Sequence, residues 1–207
     1  MRKYLFVLLG FISLVTFSFC SPSLGTGNDE KSPELKPTIS STKIKEALDF
    51  AKKNKMDTTI ALFIDFSIAS GKNRLFVYDF KSGSILKSSL CAHGSGTNTF
   101  VSGDDVEFSN VPESHCSSKG KYKVGNRGWS NWGTHFNYKL HGLEPTNSNA
   151  FKRIIVLHSY EMVDDEEIYP ELLINSWGCP MVSNNTMVYL DEAIKKTSQP
   201  VLMWIYD

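Results

Sequence analysis

Cys179 and His158 stand 21 residues apart in a chain of 207, and together they are residue types that could carry out nucleophilic catalysis. A thiol attacks as its thiolate, so a base or cation must lower its pKa from about 8.5. Imidazole is the usual partner. Cys179 lies in Ile174-Asn175-Ser176-Trp177-Gly178-Cys179-Pro180. Gly178 permits a tight bend there, by which neighbouring amides converge on a developing oxyanion. His158 ends the apolar run RIIVLH, a place where its ring projects from a strand end. A Cys and a His on adjacent strand ends is the arrangement such chemistry requires. The bland reading of the same cysteine is a small buried hydrophobe.

The cysteines fall at 20, 91, 116 and 179. With Cys20 lipidated or removed, three remain, so at least one is unpaired within the monomer. Cys91 and Cys116 could bridge, leaving Cys179 free. A free thiol outside the cytoplasm is an oxidation liability, which favours a catalytic task for it. Alternatively, Cys91-x-His93 with His115-Cys116 offers four soft ligands for tetrahedral zinc, although the C-x-H spacing is tight for one. No metal and no cofactor is expected.

Other side chains carry two readings each. Arg153 could anchor a substrate carboxylate or simply sit at a strand start. His141, before Gly142, could be a substrate contact or a solvated loop histidine. Asp164-Asp165-Glu166-Glu167 reads as a solvated loop before it reads as a calcium patch. Trp129, Trp132, Phe136 and Tyr138, interleaved with glycines and Asn131, form either a glycan platform or a packed β corner.

The elements that must position these residues read as mainly β with one helix at each end. Ser41/Thr42 ahead of KIKEALDFAKKNK gives a cap and an apolar spacing at Ile44, Ala47/Leu48 and Ala51, hence a short amphipathic helix. TTIALFIDF and NRLFVYDF are strand-like runs, and Lys81-Ser82-Gly83 is a hairpin turn into SILKSSLCAHG. Lys121 to Val124 and Arg153 to His158 are further strands, the latter apolar enough to be central. Asn184 to Lys196 has helical spacing, and VLMWIY after Pro200 is a last strand in the core. No GxGxxG or GxxxxGK[ST] loop is present, which argues against nucleotide chemistry.

Ahead of the body, Met1-Arg2-Lys3 and the uncharged run Tyr4 to Phe19 form a secretory signal peptide. Cys20 followed by Ser21-Pro22-Ser23 suggests lipidation at Cys20. Ordinary cleavage after Cys20 and an uncleaved anchor are the rival outcomes. All three place the body outside the cytoplasm, in the periplasm or cell envelope. Residues 21–41 are rich in Ser, Pro, Gly and charge and form a flexible tether, leaving 42–207 as the domain. Lys+Arg 22 balance Asp+Glu 22, and a pI near 7.0 gives no support for nucleic-acid binding.

Here the chain resembles a known family. His158-Ser159 followed by Ser176-Trp177-Gly178-Cys179-Pro180 is similar to the signature of the murein L,D-transpeptidase catalytic domain (the YkuD-like fold), in the branch whose motif reads S-W-G-C-P. FSIASGKNRLFVYDFKSGSIL, CAHGSG, SSKGKYKVG and LHGLEPTNSNAFKRIIVLHS fit the same branch. Trp177 stands where the wider family has a second His, and Ser159 where it has Gly. The resemblance implies a β-sandwich or mixed-sheet fold. It further implies acyl transfer on peptidoglycan stem peptides, releasing D-Ala from position four and making a 3→3 crosslink, or hydrolysis as an L,D-carboxypeptidase. Cys179 would be the nucleophile and His158 the base. Backbone amides near Trp177, Gly178 and Cys179 would hold the oxyanion, and Ser176 and Ser159 would orient the loop or His158. A cell-wall-binding lipoprotein that keeps the fold without catalysis is the alternative; a lipid anchor would join either one to the membrane.

Overall fold

The computed structural model describes residues 39–97 and 104–207. The signal segment, Cys20 and residues 21–38 of the expected tether lie outside them. Among the described residues no helix is long and apolar enough to cross a membrane.

The first helix of the described residues is α1, Ser41–Lys53. Its N-cap is Ser40, one residue earlier than the sequence suggests. The Ser40 hydroxyl, on extended backbone, accepts from the Lys43 amide and so satisfies one of the unpaired donors of the first turn. Strands β1 (Ile60–Asp65), β2 (Leu75–Asp79) and β3 (Ser84–Ser89) follow as the expected meander, and then β4 (Gly120–Trp129), β5 (Phe136–Gly142), β6 (Val156–Ser159), β7 (Met181–Val182), helix α2 (Asn184–Lys195) and β8 (Leu202–Tyr206). All eight strands join one mixed sheet in the order β3-β2-β1-β8-β4-β5-β6-β7. β8 runs parallel to β1 and antiparallel to β4, and it is buried along its whole length. That accounts for VLMWIY being apolar on both faces.

Alternation along the strands separates two cores. On one face of β1 and β8, Ala61, Phe63, Leu202 and Trp204 meet Ala47 and Ala51 of α1. On the other face, Leu62, Ile64 and Met203 join Tyr138, Leu140 and Leu157 from β5 and β6 and Met187 and Leu190 from α2. This second core therefore takes side chains from both halves of the sheet, and α2 seals it.

Two expectations change. The run RIIVLH is a strand only from Val156, and β6 lies next to the sheet edge rather than at its centre. Arg153 and Ile154 belong to a turn whose amides bond back to Asn149 and Phe151. Ile154 is exposed and left-handed at φ 59°, a rare conformation for a β-branched residue. The aromatic set also divides. Phe136 and Tyr138 are core residues of β5, whereas Trp129 and Trp132 are exposed at the β4–β5 hairpin tip.

Candidate active site

Strand β6 sets the frame of the site. Its alternation sends Leu157 into the core and Val156 and His158 to the opposite face. Val156 donates its amide to the Cys179 sulfur at 3.4 Å. His158 lies two strand positions further on, about 6.6 Å along the chain, on the same face. β7 continues from the cysteine and pairs in parallel with β6, matching Met181 to His158. The strand pairing thus brings the segment that bears Cys179 alongside the strand that bears His158. In this state the sulfur is engaged by the Val156 amide and lies 3.9 Å from the Ile154 carbonyl, not by the imidazole.

The imidazole has a defined orientation. His158 Nδ1 lies 3.0 Å from the carbonyl oxygen of Ser159. A carbonyl can only accept, so Nδ1 carries the hydrogen and Nε2 presents a lone pair. Burial lowers the His158 pKa, partly opposed by that hydrogen bond, a shift that favours the neutral ring. The Ser159 hydroxyl accepts from the Thr134 amide at 2.9 Å. Ser159 thereby ties the β4–β5 hairpin tip to the strand that bears His158.

The turn before Cys179 is built by Ser176. Its hydroxyl donates to the Cys179 carbonyl at 2.6 Å and accepts from the Gly178 amide at 3.2 Å. Gly178 has φ +104°, a region that disfavours any side chain. A Cβ there would also lie 2.7 Å from the Cys116 carbonyl. The Gly178 amide is therefore spent within the turn, while the Cys179 amide makes no hydrogen bond to another described group. Ser176 is held from beneath: its amide donates to the His93 carbonyl, and its carbonyl accepts from the Ser95 amide, both at 2.8 Å. Trp177 is 75% exposed and stacks on His115 at 5.4 Å between centroids.

Burial raises the Cys179 pKa, and the Val156 amide, Arg153 and Lys139 pull it back down. Arg153 does not face open solvent. Its guanidinium donates to the Ser109 and Cys116 carbonyls and to the Ser114 and Ser118 hydroxyls at 2.7–3.2 Å. It braces the loop 109–118 beside the turn that ends at Cys179. His141, on β5, stacks on Phe151 at 4.7 Å, and burial and Lys123 lower its pKa.

Cys91 and Cys116 are free thiols, so the expected alternative of a bridge between them is not realised. Cys91 lies in the main core, where burial pushes its thiol up to about 12. His93 accepts at Nδ1 from the Arg74 guanidinium at 2.8 Å, which leaves that nitrogen no lone pair for a metal. Asp165 caps α2 through Ser183 and Asn185, a structural use of part of the acidic run. Two residues of the site had no signal in the sequence reading. Lys139 and Asn137 of β5 lie on the same face of the sheet as His158 of β6, and only the β5–β6 register reveals it.

Several solved structures are similar to the chain. An L,D-transpeptidase from Xylanimonas cellulosilytica (its residues 123–326) is 12% identical, with 76% of this chain and 68% of that one covered and a TM-score of 0.43. Bd1075 from Bdellovibrio bacteriovorus is 17% identical over 74% of this chain and 49% of its own, at a TM-score of 0.44. The helical cell shape determining protein Pgp2 from Campylobacter jejuni is 11% identical over 72% of this chain and 48% of its own, also at 0.44. The chain thus spans about half the length of the latter two. No curated protein matches it. The profile of the L,D-transpeptidase catalytic domain matches residues 31–206, nearly the whole domain with its cysteine turn and histidine strand, and this chain belongs to the L,D-transpeptidase catalytic domain family.

Proposed function

We propose that Cys179 and His158 carry out acyl transfer on peptidoglycan stem peptides outside the cytoplasm. The observation that supports this reading is the sulfur seated on the backbone amide of Val156, two residues before His158 on β6. His158 Nε2 takes the thiol proton, and the thiolate attacks the carbonyl of the diamino acid at stem position three. The Cys179 amide supports the oxyanion, since the Gly178 amide is occupied by Ser176; such a donor is worth about 3–4 kcal/mol. On collapse the C–N bond to D-Ala breaks and His158 returns the proton to the leaving amine. The thioester is then resolved by a side-chain amine of a neighbouring stem, giving a 3→3 crosslink, or by water, giving a tripeptide. Either resolution regenerates the thiol. A signal peptide with a lipid on Cys20, joined by the tether to the domain, would hold this activity at the envelope.

A non-catalytic wall-binding role draws support from one observation, the raised thiol pKa with the sulfur turned to backbone. Mass spectrometry of tetrapeptide muropeptides incubated with wild type and Cys179→Ala separates the two. Crosslinked dimers lacking one D-Ala, or tripeptides, formed by wild type alone support catalysis. Untouched substrate in both, with no covalent β-lactam adduct, supports the binding role.

A further inference from the structure

The tip of the β4–β5 hairpin, residues 130–135, folds onto the segment that follows His158. The tip is fixed internally: the Ser130 amide donates to the His135 carbonyl, the His135 amide to the Trp132 carbonyl and the Trp132 amide to the Ser130 hydroxyl, at 3.0–3.1 Å. Three consecutive tip residues then each grip one residue after His158. The Trp132 ring meets the Tyr160 ring edge-on at 5.6 Å between centroids. The Gly133 amide donates to the Glu161 carboxylate at 3.2 Å, and the Thr134 amide donates to the Ser159 hydroxyl at 2.9 Å. The Thr134 and Ser159 hydroxyls also lie 3.1 Å apart.

Gly133 sets how closely the tip approaches. Its φ is +57°. A Cβ there would lie 2.2 Å from the Ser159 hydroxyl oxygen and 2.7 Å from both the Ser159 carbonyl carbon and Asn184 Oδ1 of α2. Conformation and space both demand glycine. The tip backbone is thus packed directly against the peptide whose oxygen lies 3.0 Å from His158 Nδ1. The partner of one ring nitrogen sets which nitrogen carries the proton and how the ring is aimed. Ser159 is buried, with its side chain bonded to the tip and its carbonyl to the imidazole.

We propose that Gly133 and Thr134 are positioning residues for the base, holding the Ser159 peptide and through it the His158 ring. This rests on the reading of His158 as base given above, and it extends that machinery to the β4–β5 hairpin tip. Both residues act at one remove from the thiol. A ring free to turn about its side-chain bonds spends less time aimed at the sulfur, and small losses of alignment cost large factors in rate.

The test is a double-mutant cycle on D-Ala release from a tetrapeptide stem. Gly133→Ala pushes on the Ser159 peptide, and Ser159→Ala removes the acceptor of the Thr134 amide; each is made in the parent chain and in His158→Ala. In the parent chain each is expected to lower kcat about tenfold or more, with KM held within about twofold. In His158→Ala each should change the residual rate by less than about twofold, because the residue it acts through is gone. Ring nitrogen-15 chemical shifts should show His158 losing its fixed Nδ1–H tautomer in both variants, at an unchanged circular-dichroism spectrum. Wild-type kcat in a folded variant, an equal loss in both backgrounds, or unchanged ring shifts overturns the positioning role while leaving His158 as the base. Undiminished turnover by His158→Ala overturns the base reading, and the positioning role with it.

Discussion

The Ser176 hydroxyl donates to the carbonyl oxygen of Cys179 at 2.6 Å, closing the turn on which the thiol stands. The Ser176 hydroxyl oxygen also accepts from the Gly178 amide, so one side chain settles two backbone groups that would otherwise be unpaired in a buried place. Ser176 is therefore a positioning residue. Its bonds fix the backbone on both sides of the Gly178–Cys179 peptide.

Ser176→Ala removes both bonds. Two partly buried backbone groups then lack partners, at a cost of about 2 kcal/mol, which lowers the melting temperature by about 4–8 °C in a domain of this size. The expected loss of turnover on a tetrapeptide stem is about tenfold or more, larger than the stability loss explains at a temperature where the variant remains folded. Wild-type turnover in a well-folded variant would show that the turn holds without it.

Arg153 supports the opposite wall. Its five donors form a planar fork, and here they reach two carbonyls and two hydroxyls of the loop 109–118. Lysine keeps the charge but not the fork. Arg153→Lys is expected to destabilise the domain by about 2–3 kcal/mol and to speed amide hydrogen exchange across residues 109–118, with the Trp177–His115 stack loosened. Unchanged exchange there would mean the loop is held by other contacts.

The buried pair beneath the turn makes stability pH-dependent. Burial, reinforced by Arg74 and partly opposed by Asp104, holds the folded His93 at about 4, against about 6.5 unfolded. Between these values the unfolded chain binds a proton that the folded one refuses. Stability is thus intact above pH 6.5 and falls as pH drops toward 4, by about 3 kcal/mol from this group. His158, lowered in the same direction, adds to the loss. His93→Gln retains an acceptor for Arg74 and should flatten the dependence of urea unfolding between pH 7 and 4. An identical dependence in wild type and variant would assign it elsewhere.

Much of this fold is legible in the chain because the periodic segments are also the buried ones. α1, α2, β1, β2 and β8 each carry an apolar pattern, and β3 follows from the Lys81-Ser82-Gly83 turn. β5 is not legible: FNYKLHG alternates, but its outward positions, Asn137, Lys139 and His141, look like loop residues until β6 is laid beside them. RIIVLH misleads in the other direction, since Ile154 is apolar yet exposed in a left-handed turn. The Cys179 and His158 motif stands out locally, and the β6–β7 register sets the segment after Cys179 beside the strand of His158. The roles of Ser176 and Arg153 rest on hydrogen bonds to carbonyls up to 44 residues away in sequence, and backbone carbonyls leave no trace in residue identity. Cys20 and the signal segment lie outside the described residues, so the lipid anchor rests on the sequence alone.

The central claim is that Cys179 is acylated with His158 as its base. Acid-quenched intact-mass spectrometry of the chain with a tetrapeptide stem tests it most directly. The expected adduct equals the stem less one D-Ala, maps to Cys179, is absent in Cys179→Ala, and accumulates far more slowly in His158→Ala. Release of D-Ala by Cys179→Ala at the wild-type rate would contradict it.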